Sequence, residues 1–96
     1  MLTSRQIRLL RAMAHGKKPI VIVGSGGPTA AVLKEIDSAL AHHELIKIRV
    51  NADDRAQRQQ LIDRIGEALG AELVQRLGHV ATLFRRNPEA PRIALP

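Results

Sequence analysis

The sequence predicts a single α/β domain whose elements follow one another in the order αβαβαββ. Three observations predict this fold class. Apolar residues recur with helical spacing in three stretches, short β-branched stretches lie between them, and a glycine turn near the end separates two strand-like stretches. Strand–helix–strand connections require parallel pairing and the closing hairpin is antiparallel, so we expect a mixed sheet of four strands beside three helices. A chain of 96 residues is the size of one domain.

The first helix is predicted to begin at Thr3. Thr3 followed three positions later by Gln6 is the pattern of a capping box. Apolar residues occupy one half of this helix and arginines occupy the other, and Gly16 is expected to end it as a C-terminal glycine. The apolar half consists of Ile7, Leu9, Leu10, Met13 and Ala14, and the basic stripe consists of Arg5, Arg8 and Arg11.

The first strand is predicted at residues 20–23, which read Ile-Val-Ile-Val. An unbroken β-branched run between Pro19 and a glycine turn is typical of a parallel strand buried on both faces. The turn spans residues 24–29, and a second helix then runs to about His42. The apolar positions of this helix are Val32, Leu33, Ile36, Ala39 and Leu40.

The second half of the chain also contains a strand followed by a helix, and it ends in a hairpin. Residues 45–50 place Ile46, Ile48 and Val50 on one side of a strand and Lys47 and Arg49 on the other. A third helix follows, with Asp53 as its expected N-cap, Gly70 at its end, and an inner stripe of Leu61, Ile62, Ile65, Ala68 and Leu69. Residues 73–77 and 80–85 flank Gly78-His79, a two-residue hairpin, and residues from about 87 to 96 are expected to form a Pro-rich tail with a short edge segment at 92–95.

The positive charge is unevenly placed along the chain. There are 15 Lys and Arg against 9 Asp and Glu, which gives a net charge of +6. Residues 1–34 contain six basic residues and no acidic one, whereas residues 35–96 are balanced. Such a surplus is typical of a protein with a polyanionic partner, and nucleic acid is the first candidate.

Missing residue types exclude several classes of function. The chain has no cysteine, so disulfides, thiolate metal sites and cysteine nucleophiles are excluded. Phe84 is its one aromatic residue, which argues against RNA-recognition-motif sheets and oligonucleotide-binding barrels, since both stack bases on several aromatic rings. No stretch has the length of a membrane span and no signal peptide is evident, so we expect a cytoplasmic protein. The apolar composition is compatible with a monomer, although the sequence does not fix the oligomeric state.

Residues 24–27 (Gly-Ser-Gly-Gly) are the most informative short segment. Glycines between a strand and a helix N-terminus let a phosphate approach backbone amides that have no acceptor of their own. The lysine of a nucleotide-binding P-loop is missing after Gly27, and neither the third glycine nor the acidic ribose ligand of a dinucleotide fold is present. The remaining pattern is G-x-x-G, with which KH domains hold a nucleic-acid backbone. A tight strand-to-helix turn without a ligand is the alternative interpretation.

Other polar residues do not form a catalytic or metal site. His42 and His43 are adjacent on a helix and diverge by about 100°, and His43 is expected to be a core or helix C-terminal residue. Asp53 and Asp54 are interpreted as capping residues, and Ser25 lacks the G-x-S-x-G context of a nucleophile. We therefore expect no enzyme activity and no cofactor.

Three segments together resemble a known family. Residues 18–27 read Lys-Pro-Ile-Val-Ile-Val-Gly-Ser-Gly-Gly, residues 32–36 read Val-Leu-Lys-Glu-Ile, and residues 42–48 read His-His-Glu-Leu-Ile-Lys-Ile. This combination resembles the YhbY-type CRM domain (chloroplast RNA splicing and ribosome maturation), over nearly the whole chain. The resemblance implies a fold similar to the C-terminal domain of translation initiation factor 3. It also implies a stand-alone bacterial RNA-binding protein that acts in assembly of the large ribosomal subunit.

The sequence therefore predicts an RNA-binding protein that contacts rRNA through its phosphate backbone. A protein-interaction adaptor whose basic helix docks an acidic partner is the alternative, and a nucleotide-dependent enzyme is a distant third. The predicted RNA-binding residues are Gly24, Ser25, Gly26, Gly27, Lys17, Lys18, Arg5, Arg8, Arg11 and Lys34.

Overall fold

A computed structural model describes all residues from Met1 to Pro96. The predicted order and the mixed four-stranded sheet are confirmed. The sheet order is β1-β2-β4-β3, with β1 parallel to β2 and the other two pairs antiparallel. The elements are α1 (Ser4–Ala14), β1 (Pro19–Val23), α2 (Ala30–His43), β2 (Leu45–Val50), α3 (Arg55–Leu69), β3 (Glu72–Leu77) and β4 (Val80–Phe84).

Helices α2 and α3 pack on one face of the sheet and form the larger core. Ile36 and Leu40 of α2 and Ile62 and Ile65 of α3 lie against the side of β2 that carries Ile46, Ile48 and Val50. The alternation of residues 45–50 is therefore confirmed, because the apolar side of β2 meets these helices and Arg49 on its other side is exposed. Ala68, expected in the inner stripe of α3, is exposed instead.

Helix α1 packs on the opposite face of the sheet. Leu10 and Ala14 contact a smaller apolar cluster that includes Leu45, Val74 and Phe84. The capping box is confirmed, because Thr3 Oγ1 accepts from the Gln6 amide at 3.1 Å and Gln6 Oε1 accepts from the Thr3 amide at 3.0 Å. None of the helices is both long and apolar enough to cross a bilayer.

Residues 85–96 pack against the domain without forming a strand. Ile93 is buried beneath α1, and Gln6 Nε2 donates to the Pro96 carbonyl at 2.9 Å. The edge segment expected at residues 92–95 is wrong for this reason: the amides of Arg92 and Ile93 donate to the Glu44 carboxylate rather than to a neighbouring strand.

Three other local predictions are wrong. Strand β1 is buried on one face only, because it lies at the edge of the sheet and α1 does not reach it, so Ile22 remains 62% exposed. Asp54 caps α3, since its Oδ1 accepts from the Ala56 amide at 2.8 Å, whereas Asp53 lies one residue too early. Gly16 does not adopt a left-handed conformation, and α1 ends in a tight turn in which the Lys17 amide donates to the Ala14 carbonyl at 2.9 Å.

Candidate nucleic-acid interface

The loop of residues 24–27 projects from the carboxyl end of β1. The Gly27 amide donates to the Gly24 carbonyl at 3.0 Å and closes a tight turn. Gly27 has a φ of 96°, and a Cβ built there would lie 3.2 Å from Leu61 Cδ2, so this position requires glycine. Gly24 and Gly26 differ, because a Cβ at either would meet no atom within 4 Å. These two glycines leave open space in front of the backbone.

The start of α2 lies two residues beyond this loop. Thr29 is the N-cap, and its Oγ1 accepts from the Val32 amide at 3.1 Å. The amides of Ala30 and Ala31 donate no hydrogen bond within the protein, and the same holds for Ser25 and Gly26 in the loop. The first turn of α2 carries no acidic residue. The carboxyl end of β1 therefore presents four free amides to solvent, next to the positive end of a helix dipole.

One basic residue that the sequence analysis missed lies beside the loop. Arg64 of α3 lines the same shallow depression as Gly26 and Gly27. It is exposed and forms no ion pair. No sequence signal identifies it, since Arg64 lies 37 positions after Gly27 and only the packing of α3 against the sheet brings them together.

The two lysines that precede β1 lie at the other end of that strand. Gly24 lies six positions after Lys18, which is about 20 Å of extended chain. Lys17 and Lys18 instead share a shallow pocket with His43 of α2 and Lys47 of β2. Lys17 and Lys18 therefore lie at the opposite end of β1 from the glycine loop. The lysines and the loop cannot hold the same phosphate.

His43 lies at the end of α2 and is exposed rather than buried in the core. Desolvation and the positive charges of His42, Lys17 and Arg92 lower the pKa of His43 below its ordinary value. The lowered pKa reduces the positive charge that this imidazole carries, so Lys17, Lys18 and Lys47 supply the charge of the pocket. The rings of His42 and His43 touch edge to face, with centroids 4.5 Å apart.

The remaining predicted residues lie on helices. Arg5, Arg8 and Arg11 are exposed on α1, and Arg11 Nε lies 3.4 Å from the carbonyl of Val74 in β3. Lys34 is exposed on α2, two residues before the buried Ile36, and so it lies on the side of that helix away from the sheet. Of these residues, Arg11 therefore contacts the sheet, whereas Arg5 and Arg8 are exposed on α1 and Lys34 lies on the outward side of α2.

Known proteins share this architecture over the whole chain. A family model, the CRS1 / YhbY (CRM) domain, matches residues 2–85. The chain belongs to this CRM family. The match confirms the resemblance carried by the G-x-x-G loop and the His-Glu-Leu-Ile-Lys segment, and it places both in a domain of the expected type.

Relatives of this CRM domain are found in distant bacteria. A Haemophilus influenzae "RNA-binding protein" is 42% identical over 95 residues, covering 99% of this chain and 95% of the relative. The Bacillus subtilis "Probable RNA-binding protein YqeI" is 34% identical over 96 residues, which span 100% of both chains. The solution structure of a Staphylococcus aureus protein superposes on this CRM domain with a TM-score of 0.86, at 38% identity over 100% of both chains. The names of the first two describe binding and no reaction.

Proposed function

We propose that this protein binds RNA through its phosphate backbone and acts on rRNA of the large ribosomal subunit during assembly. The observation that carries the proposal is the exposed glycine loop, in which free amides stand beside open space and a helix N-terminus. Related CRM proteins are named for RNA binding, and the resemblance to the YhbY type supports the ribosomal target.

The loop suits a phosphate group for three physical reasons. Ser25, Gly26, Ala30 and Ala31 offer N–H donors that no group of the protein accepts, and a phosphate oxygen is a strong acceptor for such donors. Gly24 and Gly26 carry no side chain that would keep the sugar-phosphate chain at a distance. Arg64 supplies the positive charge at this end of the surface, which the uncharged loop itself lacks.

Substitution of Gly26 by aspartate tests the role of the loop. Gly26 has no positive φ and no neighbour within 4 Å of an added Cβ, so Gly26→Asp should fold as wild type. The new carboxylate would repel the phosphate, and we expect affinity for single-stranded RNA to fall by at least about tenfold. Fluorescence anisotropy with a labelled oligonucleotide measures this loss.

Gly26→Asn is the matched control, since it adds a side chain of nearly the same size without the charge. We expect Gly26→Asn to weaken binding less than Gly26→Asp. Wild-type affinity in a folded Gly26→Asp variant would remove the loop from the interface.

Ribosome association tests the second part of the proposal. A tagged protein in a bacterial lysate should cosediment with precursors of the large subunit, and ribonuclease treatment should release it. Sedimentation with a protein complex that ribonuclease does not alter would contradict RNA binding and favour an acidic protein partner for the basic helix.

A further inference from the structure

The side of the sheet that faces α1 is only partly covered by that helix. Beyond the Leu45–Phe84 pair, two rows of side chains cross the strands in register. We call these two rows the open face. The first row is Ile22, Arg49, Val80 and Leu77, and the second is Pro19, Lys47, Thr82 and Gln75.

The open face is apolar at its edges and basic at its centre. Ile22 is 62% exposed and Leu77 is 66% exposed, and they are the most exposed large apolar residues of the chain after Met1. Lys47 and Arg49 stand between them on β2, and neither forms an ion pair. None of the nine acidic residues of the chain lies in either row. An exposed apolar patch of this kind marks a contact surface, and its charge fits a polyanion.

The position of the open face also indicates that its partner is RNA. Strand β1 joins the glycine loop at one end to Lys17 and Lys18 at the other, and the open face occupies the interval of about 20 Å between them. An RNA strand held by phosphates at both ends would follow β1, whose exposed side belongs to the open face. Arg11 borders it from α1, through the contact of its Nε with the Val74 carbonyl.

We propose that the open face contacts unpaired bases of the bound RNA. This proposal rests on the RNA-binding function proposed above and adds base contacts to its phosphate contacts. The bases would lie on the aliphatic side chains of Ile22, Leu77 and Val80 and on the Arg49 guanidinium, because Phe84 is buried and offers no ring. Arg49 Nε donates to Asn51 Oδ1 at 2.9 Å, which holds the guanidinium plane in place, and flat stacking of bases on arginine is common in RNA recognition.

The shape of the surface agrees with a base lying flat. The depression lined by Pro19, Lys47, Gln75, Leu77, Val80 and Thr82 has a volume of about 220 Å³. Enclosed small-molecule pockets have volumes of about 300 to 1,000 Å³. The open face is therefore a shallow platform rather than a ligand cavity.

An abasic oligonucleotide tests the proposal. Wild-type protein should bind a uridine dodecamer about tenfold more tightly than a dodecamer of the same ribose-phosphate chain without bases. The double variant Ile22→Ser/Leu77→Ser should lose about tenfold in affinity for the uridine dodecamer and little for the abasic one. The salt dependence of RNA binding by the double variant should match that of the wild type, because no phosphate contact is removed. Both side chains are well exposed, so the variant should fold, and its thermal unfolding checks this.

Leu73→Ser is the control. Leu73 lies on the same strand as Leu77, is 37% exposed and pairs with Leu83, on the opposite face of the sheet. We expect this variant to bind both dodecamers as wild type does.

Two results would overturn the open-face proposal alone: equal wild-type affinity for the two dodecamers, or unchanged affinity in Ile22→Ser/Leu77→Ser while Gly26→Asp is impaired. The first would leave a protein that contacts phosphates only. In the second case, a protein partner or second copy of the chain that binds wild type but not the double variant would assign the face to protein binding. Failure of wild-type protein to bind either dodecamer would refute the RNA-binding function itself, and the base contacts with it.

Discussion

Glu44 is the one residue other than glycine with a positive φ, at 64°. It ends α2, and its side chain is fully buried. Its Oε1 accepts from the amides of Arg92 and Ile93 at 2.7 and 2.9 Å, and its Oε2 accepts from the Asn87 amide at 2.6 Å. A strained backbone and a buried charge are both unfavourable, and these charge-assisted hydrogen bonds offset them. Glu44 thereby fastens the C-terminal segment to the junction of α2 and β2.

Replacing Glu44 by glutamine should destabilise the fold. A glutamine amide presents N–H donors where the carboxylate presented an acceptor, so at least one buried backbone N–H would lose its partner. We expect the free energy of unfolding to fall by about 2 to 4 kcal/mol, measured by urea denaturation. Glu89→Gln, which alters an exposed glutamate of the same segment, is the control and should change stability little.

The pH dependence of the unfolding free energy, compared between wild type and Glu44→Gln, provides a second measurement. Burial raises the pKa of Glu44, but the amides of Asn87, Arg92 and Ile93, with the nearby Arg86, outweigh burial and hold the pKa below its ordinary value. A lowered pKa in the folded state stabilises the protein above the unfolded-state pKa, and this stabilisation is lost as pH falls through the folded-state pKa. The difference in unfolding free energy between wild type and Glu44→Gln should therefore shrink below about pH 4. A difference that stays constant down to pH 3 would contradict this account.

At the scale of elements, local patterns predict what forms but not where it packs. The capping residues Thr3 and Gln6, the left-handed Gly70 and the Gly78-His79 turn were identifiable because each depends on residues close in sequence. The exposure of Ile22 was not, because a β-branched run looks the same in a central strand and an edge strand. Its position follows from the strand order, which is set by contacts between distant segments.

The candidate site likewise has parts that local sequence patterns predict and parts that depend on tertiary packing. The glycine loop could be identified from its spacing, and Lys47 and Arg49 were correctly placed on the wetter side of β2 by alternation alone. That they lie beside exposed apolar residues could not be predicted, because this depends on the register of β2 with β1 and β4. This register brings Ile22 and Val80 beside Arg49. Arg64 reaches the loop only through packing of α3.

For the whole molecule, the six basic residues that carry the net charge of +6 are not gathered around the glycine loop, since three lie on α1, two precede β1 and one lies on α2. The domain measures 36 × 24 × 23 Å, so the interval of about 20 Å between the glycine loop and Lys18 spans most of its width. At the spacing of about 3.4 Å per nucleotide in a stacked strand, this interval corresponds to about six nucleotides. A single phosphate-binding site and an extended surface therefore predict different dependences on RNA length.

Affinity should rise with RNA length until the strand spans the whole surface. We expect oligouridylates of increasing length to bind more tightly up to about eight nucleotides. The slope of log affinity against log salt should grow in magnitude toward about 3 to 4, as expected for five phosphate contacts.

Replacing the two lysines before β1 tests the far end of the surface. Lys17→Gln/Lys18→Gln should lower the magnitude of that slope by about 1.4 for a dodecamer, because two phosphate contacts are lost. Lys34→Gln removes a charge on the outward side of α2 and should leave the slope unchanged. Full affinity for a trinucleotide would contradict the extended surface, because a stacked strand of three nucleotides spans about 10 Å, half of the distance from the loop to the lysines. The glycine loop would then suffice for binding.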